Sequence, residues 1–416
     1  MNAVFLALVT ASFAAAAWAE ATGAGGAMEA LSAAIVDSAT ASVPLALGLI
    51  GIMALFLGLM KVAEVGGLLD STARLLRPLL TRLFPEIPAD HPAMGAMVMN
   101  IAANLLGLGN AATPFGIRAM EHLERLNPHP GTASNAQVLF LAINTAGITL
   151  LPTKVIALRA SSGAADPAAV VGPTLAATIV AAIIAVLASR GLQRFWPSPA
   201  NLSRPPPPQP ALAPERIWPV ALAAAIVLTL VPLLLMYGKV IGPWLLPGLV
   251  TGILLYGAIK RVAVYETFVA GARAGFGVAV KIIPYLVAIL MAVGMIRASG
   301  VLAAILEPLG RLTAPLGLPA EALMMAAMRT LSGSGSYGLL AAQMKDPTIG
   351  PDGYLGILLG TLYGSTETTF YVLAVYFGAV GIRRIRHALA VGLLADLSAL
   401  IAALLVCQWF TAPVKP

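Results

Sequence analysis

This sequence predicts an all-α polytopic membrane protein, with about nine transmembrane helices plus two re-entrant helical hairpins in an inverted repeat. Three observations predict it. The 416 residues are 59% hydrophobic and only 10% charged, where a soluble domain carries about a quarter charged residues. Apolar runs of roughly 18 or more residues recur along the chain, each able to cross ~30 Å of hydrocarbon as a helix. Backbone groups in lipid must bond internally, so helices are the default. Two further apolar segments, one in each half, are interrupted by short Gly-rich polar strings.

The elements follow in order. Residues 1–19 are an apolar run ending AWA before Glu20. They read as an uncleaved first helix in preference to a signal peptide, because no Lys or Arg precedes the run. Spanning helices are expected at 42–63, 136–158, 169–189, 217–236, 240–259, 282–298, 353–377 and 387–408. Amphipathic pieces lie between them at 32–41, 68–88 and 264–281; the second sets Arg74, Arg77 and Arg82 against leucines, as an interfacial helix does. The hairpins are 91–126, broken at GLGN, and 318–346, broken at SGSGSYG. Unwound backbone at membrane depth is tolerated only when buried in protein or lining a wet cavity. RPPPPQP (204–210) cannot continue a helix. It marks a linker at 201–216 between a first half, 1–200, and a joining helix at 217–239 that leads into the second half, 240–416.

Charge sets orientation and excludes several functions. The net charge of +7 comes from basic residues in short loops, so no nucleic-acid partner is expected. With a cytoplasmic N-terminus the inner loops collect Lys61, Arg74, Arg77, Arg82, Arg118, Arg125, Arg190, Arg194, Arg383, Arg384 and Arg386 among others, and the C-terminus with Lys415 lies outside. A cell inner membrane suits that pattern. His91, His122, His129 and His387 show no metal-ligand spacing, and Cys407 is alone; no metal site or disulfide is expected. GSGSYG spells GxGxxG but follows no strand, so no dinucleotide site is read there. Without a Ser–His–Asp set or a phosphate loop, neither an enzyme nor an organic cofactor is expected.

The halves resemble each other. GLMKVAE (58–64) matches GMIRASG (294–300), PAMGAMVMNIAANLLGLGN (92–110) matches PAEALMMAAMRTLSGSGS (319–336), and NTAGIT (144–149) matches GSTETT (364–369). Five crossings separate equivalent helices, and an odd number inverts the second copy. Inverted repeats whose broken helices meet near the midplane are a transporter signature.

The candidate site follows from that symmetry. Glu367 stands at the middle of the apolar run 353–378, where a carboxylate costs ~2.5–3.5 kcal/mol. On a continuous helix Tyr363 and Tyr371 would share its face. It could bind a cation, carry a proton or accept hydrogen bonds from a solute; Arg329 and Lys154 are its expected charge partners if it is structural. Ser365, Thr366 and Thr369 beside it are solute-binding candidates, Thr368 is a further hydroxyl there, and Thr145 and Thr149 stand opposite. The amides of Asn104, Asn110 and Asn144 present donors and acceptors together, as does Asn100. Thr113 begins the return arm of the first hairpin, and Ser334 and Ser336 sit at the tip of the second. Pro152 is expected to break or kink 136–158.

The strings NLLGLGNAATPFGIRAMEHL and FLAINTAGITLLPTKVIALRA resemble the spore maturation protein A family over roughly 40–200. IIPYLVAILMAVGMIRASG, RTLSGSGSYG, YGSTETTFYVLAVYFGAVGIRRIRHAL and GLLADL resemble the spore maturation protein B family over roughly 240–410. Both families carry the nucleoside recognition, or gate, domain, which is similar to the hairpin-and-helix core of concentrative nucleoside transporters. The resemblance implies a transporter-like core built from both families in one chain. A small polar solute, nucleoside-like in that reading, is the expected partner, coupled to Na+ or H+ through Glu367. The lipid bilayer is the second expected partner and another copy of the chain the third. The other reading is a non-transporting membrane factor in envelope or cell-wall maturation.

Overall fold

The computed structural model describes residues 2–23, 25–107, 112–196, 225, 229, 244 and 247–411. The linker 201–216 and most of the joining helix 217–239 lie outside them. Among the described residues every regular element is helical, and the one β-bridge joins Thr132 to Arg384.

The first half contains α1 (Asn2–Ala21), α2 (Ala27–Val65), α3 (Leu68–Leu83), α4 (Pro92–Leu105), α5 (Ala112–Leu126), α6 (Asn135–Ala146), α7 (Thr153–Ser161) and α8 (Val171–Leu192). After α9 (Pro247–Ile259) the same order returns. It runs α10 (Val264–Ala298), α11 (Val301–Thr313), α12 (Ala320–Leu331), α13 (Gly333–Lys345), α14 (Tyr354–Ser365), α15 (Thr369–Ala379) and α16 (Ala388–Thr411). Each repeat is thus a long helix, an amphipathic helix, a hairpin, a broken helix and an unbroken one. Among the described residues, 167–195 and 388–411 are long and apolar enough to cross a membrane unbroken.

Four sequence expectations are corrected. Residues 32–41 are not a separate piece but the start of the 39-residue α2, which runs through Pro44. Residues 264–281 are likewise continuous with 282–298 in the 35-residue α10, through Pro284. The expected helix 353–377 is two half-helices separated at 366–368, whereas 136–158 breaks at 147–152 as Pro152 predicts. The second hairpin breaks at Ser332 alone, because Ser332 caps α13 by accepting from the Gly335 amide at 3.1 Å. The glycines serve close approach instead: a Cβ on Gly333 would lie 2.9 Å from Thr368 Oγ1.

The two long helices pack antiparallel. Gly294 of α10 lies against Ala34 and Ser38 of α2, while Gly58 of α2 lies against Phe268 and Gly271 of α10 against Leu57 and Lys61. Small residues let the backbones come together, which is how helices associate where lipid removes the hydrophobic drive.

The broken helices are antiparallel as well, on contacts at three levels. The loop before α6 meets the loop after α15, where the Arg383 and Arg384 amides both donate to the Gly131 carbonyl at 3.0 Å. Their middles meet where the Glu367 amide donates to the Thr145 carbonyl at 2.8 Å. At the far end Arg159 of α7 donates to the Pro351 and Asp166 carbonyls and pairs with Asp352 at 3.3 Å. The second repeat is therefore inverted relative to the first.

Two hydrophobic cores lie on either side of that meeting point. One joins the first hairpin and α6 to α15, the end of α8 and the start of α16. The other joins the second hairpin and α14 to α7, the start of α8 and the end of α16. Each core therefore takes one half-helix from each repeat.

Candidate functional site

The breaks in α6–α7 and α14–α15 put unpaired backbone in the middle of the molecule. Gly147 closes α6 with φ +57°, in the left-handed region that glycine adopts without a Cβ penalty. Pro152 precedes α7. In the second repeat three threonines, Thr366, Thr368 and Thr369, flank Glu367; β-branched residues fit a helix less well, and the backbone is extended at Thr366 and Thr368. The freed groups find partners across the breaks, as buried polar backbone requires. A Cβ on Gly147 would lie 3.0 Å from the Glu367 nitrogen, so glycine allows this approach.

Each hairpin end touches the unwound segment of its own repeat. The Leu150 amide donates to the Leu105 carbonyl at 2.9 Å, and Gly107 lies under Leu151. In the second repeat Arg329, near the end of α12, donates through Nε to the Thr366 carbonyl at 2.9 Å and through Nη1 to Thr368 Oγ1 at 3.3 Å. Its Nη2 contacts the same carbonyl and lies 3.4 Å from Glu367 Oε2. The guanidinium is also 4.6 Å from the Tyr363 ring centre, a cation–π distance.

The sequence-predicted residues fall into separate groups. Asn104 Nδ2 donates to Asn144 Oδ1 at 2.9 Å, and Tyr376 of α15 donates to the same oxygen at 3.2 Å. Asn100 Nδ2 donates to the Tyr376 hydroxyl at 3.1 Å, which closes an amide–phenol chain through α4, α6 and α15. Thr145 is fully buried, its hydroxyl without a partner. Thr149, between Gly147 and Pro152, donates to the Gly147 carbonyl at 2.9 Å. Thr113 lies in the first turn of α5. Asn110 lies outside the described residues, as does the side chain of Ser334.

In the second repeat Ser336 donates to the Gly333 carbonyl and Ser365 to the Leu362 carbonyl, so both serve their own helices. Thr369 Oγ1 donates to Asp396 at 2.6 Å. Glu367 is 45% exposed at its side chain beside the 8% exposed Arg329. Lys154 is exposed in the first turn of α7, and Glu367 pairs with Arg329. Because Glu367 sits in the break between α14 and α15, Tyr363 and Tyr371 do not share a helical face with it: Tyr363 is buried and Tyr371 is 53% exposed.

Sequence reasoning does not single out Asp396 or Tyr376. The signal for Asp396 is present: it is the one charged residue of α16, a helix long and apolar enough to cross a bilayer, and such residues face protein or water. Tyr376 carries no local signal, because its amide partners are more than 230 positions away.

Comparison with known proteins places this geometry in context. The Gate family model, described as nucleoside recognition, matches residues 46–188 and 279–383. One part of the chain is similar to spore maturation protein A of Bacillus subtilis, 44% identical over 165 residues, which are 40% of this chain and 84% of that protein. A separate part is similar to spore maturation protein B of the same organism, 44% identical over 162 residues, 39% of this chain and 90% of that protein. Among solved structures, CNTnw in an outward-facing state aligns with a TM-score of 0.48 and 14% identity, over 98% of this chain and 91% of that one. The Alcanivorax borkumensis YdaH transporter aligns at 0.38 and 15%, over 94% and 90%. Likeness at that level is too distant to carry a functional reading. The chain is a multi-pass membrane protein, all-helical among the described residues apart from one β-bridge.

Proposed function

We propose, from the premise that this chain belongs to the Gate family of nucleoside recognition domains, that it is a secondary carrier for a small polar solute. The observation that carries this reading is the antiparallel crossing of two unwound segments, joined at Thr145 and Glu367. Broken helices of inverted repeats that meet at midplane form solute sites in secondary transporters. The crossing brings the backbone at Thr145 to Glu367, whose carboxylate is half-exposed, and the amide and hydroxyl groups of the two repeats lie on either side of it in this reading. Glu367 is the group that meets the solute or a coupling Na+ or H+. Asn104, Asn144 and Thr149 supply the wall on the first-repeat side, while Thr366 and Thr369 supply the other. In a cell inner membrane with both termini placed by the positive-inside rule, the core would expose this point to each side in turn.

The test is flux into liposomes holding the purified protein, with nucleosides, amino acids and small acids offered with and without sodium or a pH gradient. The expected result is saturable uptake of one solute class, with ion dependence lost in Glu367→Gln. Ion-coupled flux unchanged in that variant would remove Glu367 from the mechanism. The names of the two Bacillus subtilis relatives favour a second reading, a membrane factor in envelope maturation. Solute binding without flux, together with capture of envelope proteins in cells, would select it.

A further inference from the structure

We propose that Asp396 anchors a sodium-binding site, separate from Glu367, in the cavity between α12, the α14–α15 break and α16. The cavity measures about 240 Å³, and its polar lining is Arg329, Thr330, Ser365, Thr366 and Asp396, among leucines and alanines. That is well above the ~10–15 Å³ that a single water requires, so there is room for an ion and part of its hydration shell.

The carboxylate is supported on one side only. Its Oδ2 accepts from Thr369 Oγ1 at 2.6 Å and from Thr330 Oγ1 at 3.1 Å. Its Oδ1 is buried with no hydrogen-bond partner. The Thr330 hydroxyl has a single proton, yet it lies within bonding distance of both Asp396 and the Ala326 carbonyl, so one of the two contacts is always unmade. A buried carboxylate oxygen without a donor is costly, and a cation on it removes that cost.

Charge balance points the same way. Arg329 faces the cavity too, but its donors are held by Thr366, Thr368 and Glu367. Arg329 pairs with Glu367 and donates no hydrogen bond to Asp396, so among the described residues Asp396 has no direct ion-pair partner. Among the described residues, α6, α14 and α15 bring no acidic, basic or histidine side chain to α16, and the one such residue of α8 is Arg190 near its end.

The donor set selects the ion. It contains oxygen alone, without thiolate or imidazole, which disfavours transition metals. A single carboxylate falls short of what calcium sites gather, and magnesium demands near-octahedral geometry. A monovalent hard cation remains. Its ligands would come from three elements: the second hairpin through Thr330, α15 through Thr369, and α16 through Asp396. Binding would therefore fasten the hairpin to the broken helix. What the ion does for a solute rests on the carrier reading; its binding does not.

The experiment uses full-length protein in detergent at fixed pH, with NaCl replaced stepwise by choline chloride, read by 22Na+ binding and by thermal unfolding. The wild type should bind sodium saturably and gain thermal stability. Asp396→Asn should lose both responses, and Thr330→Val should lower apparent sodium affinity about tenfold or more, as removal of a metal-site partner typically does. Glu64→Gln, at an exposed ion pair with Lys61, should keep them. Sodium binding retained in Asp396→Asn overturns the inference, as does binding lost in Glu367→Gln but kept in Asp396→Asn. Stabilisation by acid alone, without sodium binding, also overturns it, since the occupant is then a proton. Sodium binding at Asp396 with no solute flux leaves this inference standing and defeats the carrier reading. Solute flux in a protein that binds no sodium at Asp396 does the reverse.

Discussion

Arg329 commits donors to Thr366, Thr368 and Glu367, a three-residue stretch with no helix of its own. A lysine keeps the charge but cannot reach several acceptors with a fixed planar fork. Arg329→Lys is expected to cost about 1–3 kcal/mol of stability, measured by unfolding in detergent. In a double-mutant cycle with Glu367→Gln the combined loss should be smaller than the sum of the single losses. Additive losses would mean that the pair is not energetically coupled. At Gly147 two costs combine, a positive φ and the approach of Glu367. Gly163 has a positive φ with open space around it, so Gly163→Ala should show the dihedral cost alone, about 1–2 kcal/mol. Gly147→Ala should exceed it; equal melting temperatures for the two variants would argue against close contact at the crossing. Sequence reasoning finds Glu367 because a carboxylate in a long apolar run is conspicuous. It overlooks Asp396 because attention goes to repeated motifs, and Asp396 lies outside the strings aligned between the halves. It cannot find Tyr376, whose role exists only once chain-distant elements touch.

At the scale of elements, helical identity is legible and helical continuity is not. Apolar length marks 136–158 and 353–377 as helical, and Pro152 announces the break in the first, but composition is blind to the break at 366–368, whose backbone is satisfied by another element. The reverse happens at 32–63 and 264–298, where an amphipathic start and an apolar end look like two pieces and fold as one. Those two long helices make the element-scale prediction. A Cβ on Gly294 would lie 2.2 Å from Ser38 Oγ, so Ser38→Cys with Gly294→Cys should form a disulfide under mild oxidation. Ser38→Cys with Gly58→Cys, two positions on the same helix 20 residues apart, should not. Efficient cross-linking of the second pair in the monomer would contradict the continuous α2.

On the scale of the whole molecule, the repeat and its inversion are readable from the sequence, because equivalent strings recur in order and the number of crossings between them is odd. The exchange of half-helices between cores is not readable, since either pairing buries the same apolar faces. Each end of the broken-helix pair is closed by an arginine: Arg159 at one, and at the other Arg386, which donates to the Ala133 carbonyl at 3.0 Å and to Asn135 at 2.9 Å. This predicts a core that moves as one body. Thr132→Cys with Arg384→Cys, placed on the bridge between the loops, should cross-link and leave solute flux within about twofold of the reduced protein, in keeping with motion between rigid bodies rather than inside one. Loss of flux on oxidation, restored by reductant, would show that the core itself opens there.

The exchange of half-helices has a consequence for how such a protein can be made. A ribosome that released only the portion before the Pro-rich linker would deliver a hairpin and two half-helices with bare flanks, and a carbonyl at Thr145 facing hydrocarbon. The portion after it would be deficient in the complementary way. Severed at residues 201–216, the two polypeptides should accumulate only when synthesised together, and in equal amounts, each acting as the other's folding template. Joining them in one chain fixes that stoichiometry at translation.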